Sequence, residues 1–148
     1  MSGPGPVSAQ PSWVQPQADG WATSDAWVLS AVRVTGTQEE PASLADIIVA
    51  GDFLYQVILS VQEIEHAVGR LMAAMLITAD ERGFAVTPVG RQVVARARGG
   101  DVNRAEALHQ ILSMLQVAPV PFRVDPHEYE AACLEHRHRT WKAFGGQR

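Results

Sequence analysis

The sequence predicts a mainly α-helical fold with one small β-hairpin, followed by a C-terminal helical extension. Three observations predict it. Ser60 and Glu63 stand at capping-box spacing ahead of an apolar stripe of helical period. Two short β-prone runs, MLIT at 75–78 and FAVT at 84–87, flank a polar turn that ends in Gly83, a residue able to take a positive φ. Thr87-Pro88 then opens another helix, with Thr at the N-cap and Pro at the first helical position.

The elements follow in chain order. Residues 1–20 are rich in Pro, Gly, Ser and Gln and are expected to form a disordered arm, its end pinned by Trp13 or Trp21. A first helix starts near Ser24 as N-cap, with Trp27, Val28, Ala31 and Val32 on one face, and stops at Thr35-Gly36. A second begins at Ser43 with Asp46 three residues on. Leu44, Ile47, Ile48, Gly51, Leu54, Tyr55 and Ile58 give it a wide apolar face, so it is expected to be the central buried helix. The third, from Ser60, has Leu59 and Ile64 as a hydrophobic staple and Val61, Ile64, Val68, Leu71 and Met75 on its core side. Val89, Val93, Val94 and Ala97 line the fourth, which ends at Gly99-Gly100. Asp101 is expected to cap the fifth, whose stripe is Ala105, Leu108, Ile111, Leu112 and Leu115. Pro119 and Pro121 make 117–124 an extended connector. The sixth opens at Asp125-Pro126 with Glu128 at N3 and carries Tyr129, Cys133, Leu134, Trp141 and Phe144. The organisation expected is therefore an arm at 1–20, a domain at 21–98 and an extension at 99–148.

Bulk properties narrow the function classes. A formal net charge of −4 excludes a generally basic nucleic-acid binder. The charge is uneven, however. Residues 1–87 hold 3 Lys and Arg against 10 Asp and Glu, whereas residues 88–148 hold 9 against 6. An anionic partner should meet the C-terminal half first. Cys133 is the single cysteine, so no intrachain disulfide forms, and cytoplasmic residence is expected. No apolar run reaches the ~18 residues of a membrane span, and no secretory signal pattern opens the chain.

The stretch SLADII…SVQEIEHAVGRLMAAMLI…GFAVTPVGRQVV resembles the winged helix-turn-helix superfamily. In that superfamily a helix ending in "L…L…GLI" runs into the first wing strand, and the second strand ends in "LTPEGR". The matching residues are Leu71, Met75-Leu76-Ile77 and Val86-Thr87-Pro88-Val89-Gly90-Arg91, with Met75 where Gly is usual and Val89 where Glu is usual. The likeness covers about 24–98. The C-terminal helices are weakly similar to the dimerising extensions of MarR-like and PadR-like regulators. The resemblance implies a DNA-binding module of transcription-regulator type, acting as a homodimer on double-stranded DNA. Its third helix would lie in the major groove and 80–83 would be the wing tip.

On that reading, the solvent side of the third helix carries Gln62, Glu63, His66, Gly69, Arg70 and Ala73. Gln62, His66 and Arg70 would contact DNA, with Arg82 and Arg91 on phosphate. Glu63 is explained by its cap, but Glu65 and the acidic wing tip oppose a phosphate backbone. Arg91, Arg96, Arg98 and Arg104 form the densest basic cluster, read either as a phosphate grip or as a solvated face. A second reading stays open: a protein-interaction module that does not bind DNA and docks a basic partner on an acidic face of helices 2 and 3. No catalytic motif, cofactor fingerprint or metal-ligand spacing is present, so no enzyme, cofactor or metal is expected. The histidines of HEYEAACLEHRHR do not converge at helical spacing, and Cys133 sits on an apolar stripe. Trp27, Tyr55, Met72, Trp141 and Phe144 read as core or interface, with a small-molecule pocket between helix 2 and the C-terminal helices as a further option.

Overall fold

The computed structural model describes residues 20–140, and within that span the side chains of all but residues 101 and 102. The expectations placed on Trp13, Trp141 and Phe144 lie outside the described residues. Six helices and one antiparallel hairpin are described: α1 (Thr23–Thr35), α2 (Leu44–Tyr55), α3 (Val61–Ala73), β1 (Ile77–Asp80), β2 (Gly83–Val86), α4 (Pro88–Arg96), α5 (Asp101–Leu112) and α6 (Pro126–Thr140).

Local chemistry sets most boundaries. Ser43 Oγ accepts from Asp46 N at 3.0 Å and the Asp46 carboxylate accepts from Ser43 N at 2.9 Å, closing a capping box on α2. Ser60 and Glu63 do the same on α3, at 3.1 and 2.9 Å. Leu59 and Ile64 of the staple are both fully buried. Two starts differ from expectation. Ala22 rather than Ser24 is the N-cap of α1, and Asp25 at N3 accepts the Ala22 amide at 2.7 Å. Gly100 rather than Asp101 is the N-cap of α5. The hairpin turn is also tighter than expected. Asp80 pairs with Gly83, leaving only Glu81-Arg82 between the strands.

The central helix is α1, not α2. Ala26, Val28, Leu29, Ala31 and Val32 are fully buried, and α1 packs against α2, α3, α4, α5 and β2. Its sequence carries charge only at Asp25 and Arg33, so it can be surrounded. α2 has the more apolar sequence of the two, yet it leaves Phe53 84% exposed. Hydrophobicity ranks a helix as buriable; it does not say which buriable helix the others enclose.

The end of α3 shows what the departure at Met75 does. Leu76 N donates to Leu71 O at 2.9 Å and Met75 N to Met72 O at 2.9 Å, the two bonds of a Schellman motif. That motif places its C′ residue in the left-handed region, and Met75 sits there with φ 62°. Its side chain is 71% exposed and gains little packing in return. Met75→Gly is therefore expected to stabilise the fold by about 0.5–1 kcal/mol, measured as a higher urea midpoint at constant m-value.

α6 folds back along α2. The Tyr129 hydroxyl donates to Leu59 O at 2.6 Å, His136 Nε2 lies 2.9 Å from Asp52 Oδ2, and Arg139 Nη1 donates to Asp46 Oδ1 at 2.9 Å. Burial of the Tyr129 phenol, reinforced by Cys133 and Glu63, pushes its pKa up to about 12. Burial also pulls the Asp46 carboxyl upward. Bonds from Ser43 and the Arg139 guanidinium outweigh it and hold Asp46 below the usual carboxylate value. Because the folded value lies below the unfolded one, the Asp46 contribution is complete above roughly pH 4 and is lost as pH falls through the folded value. Asp46→Asn should flatten that part of the acid limb in a plot of urea midpoint against pH.

Candidate functional site

The face of α3 expected to meet solvent is covered at Gly69 and Arg70 by the rest of the chain. Gln62 is exposed, as expected, and Glu63 is held in its cap. His66 and Arg70 depart from expectation. Arg70 is only 2% exposed and is the largest fully buried side chain of the described residues. Its Nε–H is shared between Gly20 O at 2.9 Å and His66 Nε2 at 3.2 Å. His66 Nδ1 is in turn 2.8 Å from Oδ1 of Asp25, a carboxylate with no solvent exposure. These contacts assign His66 the tautomer with its proton on Nδ1, so that Nε2 accepts from Arg70 and Nδ1 donates to Asp25. Since Asp25 also holds the Ala22 amide, the set ties the entry of α1 to the middle of α3. An unpaired carboxylate at such a position would cost several kcal/mol, and Arg70 offsets that cost from the other side.

Beside Arg70, the connector between α5 and α6 lies directly on α3. Val120 N donates to Gly69 O at 3.0 Å. A Cβ on Gly69 would stand 2.5 Å from Val120 O, so only glycine admits this approach. Glu65, unexplained by any local pattern, accepts the Val124 amide at 2.8 Å and lies 3.6 Å from the Arg123 guanidinium. Phe122 meets Phe84 of the hairpin edge-on, with centroids 6.0 Å apart. A groove of about 360 Å³ runs along this seam, lined by Gln62, Glu65, Gly69 and residues 119–123 among others. Trp21 fastens the other end, its indole donating to Leu115 O at 3.0 Å while its carbonyl lies 3.0 Å from His109 Nε2.

The remaining basic residues divide. Arg82 is exposed at the hairpin turn, where its Nη2 reaches Glu39 O at 3.3 Å. Arg91, Arg96 and Arg98 are exposed, whereas Arg104 is half-buried, so the cluster of four reduces to three outward cations. The carboxylates of the acidic face expected on helices 2 and 3 are engaged within the chain, while Asp46 and Asp52 stay 31% and 41% exposed. Asp46 and Asp52 are bound to α6, Glu63 to its cap and Glu65 to the connector. Among the described residues no three His, Cys, Asp or Glu side chains gather as a metal-binding group. No described helix is long and apolar enough to cross a membrane.

Sequence reasoning missed Asp25, Val120 and Phe122, and placed Gly69 on the solvent side of α3. One signal was available: Asp25 directly precedes the apolar run Ala26–Leu29, where a carboxylate calls for a donor, and His66 and Arg70 stand one turn apart on α3. No family model, curated protein or solved structure matches this chain.

Proposed function

We propose that this chain is a non-enzymatic winged-helix protein that works as a protein-interaction module rather than by laying α3 in a DNA groove. The element order, and the bridge of Ala42 to Phe84 that ties the segment before α2 onto the hairpin, support the winged-helix reading. The observation that carries the interaction reading is the burial of Arg70, the one cation of α3. A recognition helix supplies phosphate and base contacts from its outer face. Here that face holds its cation inside and supports the chain's own connector.

A DNA-binding reading retains Gln62, Arg82 and Arg91, with Arg96 and Arg98 beside them, and loses His66 and Arg70 as readers. The two readings separate in one purification from native cells, scored for bound protein and bound nucleic acid. The interaction reading expects a protein recovered in near-equimolar amount and no nucleic acid. Recovered DNA that dissociates steeply with rising salt, and is lost on Arg82→Ala with Arg91→Ala, overturns it.

A further inference from the structure

The connector sits on α3 as a bound peptide would. It is extended, Pro119 and Pro121 restrict its backbone, and two of its amides are committed to α3: Val120 N to Gly69 O and Val124 N to Glu65. Its side chains are sorted. Phe122 turns in against Phe84 and Val124 is 8% exposed, while Arg123 stands out at the rim, its side chain 89% exposed beside Glu65. Backbone bonds for affinity, side-chain seats for specificity and a charge at the rim are the parts of a peptide-recognition site.

We propose that the seat under the connector, made by Gly69 and Glu65 of α3 and Phe84 of the hairpin, is a recognition site for an extended segment of the form aromatic–arginine–β-branched. In this chain Phe122-Arg123-Val124 closes it, and a partner protein presenting such a segment displaces the chain's own. The proposal rests on the interaction reading above and names its partner's chemistry. Tethering gives the chain's own segment an effective concentration on the order of millimolar, so the closed form dominates until the partner adds contacts elsewhere. Gly69 serves this site by its missing side chain, and Glu65 by facing both the Val124 amide and the rim cation.

The test uses a fluorescein-labelled peptide with the sequence of residues 117–125, followed by anisotropy against the full chain. Phe122→Ala with Val124→Ala empties the seats from within. The peptide should bind this double variant saturably and at least about tenfold tighter than wild type, because the tethered competitor is weakened. Adding Glu65→Gln, or replacing the peptide's own Phe by Ala, should reduce that binding. No saturable binding to a double variant with native circular dichroism and a cooperative melt overturns the proposal. Should the double variant not fold, amide hydrogen exchange of wild type decides. The Val120 and Val124 amides must exchange well before those of α1; equal protection makes the connector a permanent part of the core and overturns the proposal. Peptide binding without any protein recovered from native cells overturns the interaction reading and leaves the recognition site standing. A recovered partner that this peptide does not displace overturns the recognition site alone.

Discussion

Arg70→Ala should lower the stability of the folded chain by about 3–5 kcal/mol, read from urea unfolding at neutral pH. The substitution removes the Arg70 Nε–H that donates to the Gly20 carbonyl and to His66 Nε2, and with it the cation beside the buried Asp25–His66 pair. It also opens a void where the largest fully buried side chain stood. Arg91→Ala, at an exposed position, should stay within about 0.5 kcal/mol of wild type. A DNA-contacting arginine behaves in the opposite way, since its loss weakens binding and leaves stability nearly intact. The pair of substitutions therefore assigns the α3 cation to the interior or to a ligand.

Gly90→Ala is the second large effect, about 2–3 kcal/mol of destabilisation. A Cβ at Gly90 would stand 2.2 Å from Leu76 O and 2.7 Å from a Val86 methyl. Leu76 O already accepts the Thr87 amide at 2.9 Å, and the Thr87 hydroxyl donates to Met75 O at 2.7 Å while accepting from Gly90 N at 3.0 Å. The end of α3, the base of the hairpin and the start of α4 meet at this point, so none can retreat alone. Alanine's better helix propensity returns only ~1 kcal/mol. The glycine of the TPVGR run is thus a packing requirement, checked by the same unfolding measurement.

What could be read in advance was local. Ser43 with Asp46 and Ser60 with Glu63 mark helix starts through bonds that span three residues, and Thr87 ahead of Pro88 marks a third through the Gly90 amide; all three caps are formed. Met75 could be identified as a departure, though its cost became visible only with its φ of 62°. What could not be read was which surfaces meet. On a helical wheel Gly69 and Arg70 lie opposite the core stripe, yet both are buried, because Gly20 and Val120 arrive from 50 residues or so away on either side. Glu65 looked like an objection to DNA binding and proved to be the acceptor for a backbone amide 59 residues on. Such contacts depend on loop paths, which composition and periodicity do not encode. The same limit placed α2 rather than α1 at the centre.

The central claim is that the Gly69–Arg70 part of the outer face of α3 is interior, and the nitrogen–proton resonance of the Arg70 Nε–H tests it most directly. Each arginine Nε–H gives its own signal, with exposed Arg91 as the internal reference. At neutral pH the Arg70 proton should exchange with water far more slowly than that of Arg91, and should show magnetisation transfer to Gly20 and His66. An Arg70 proton that exchanges as fast as that of Arg91, without those contacts, contradicts the account.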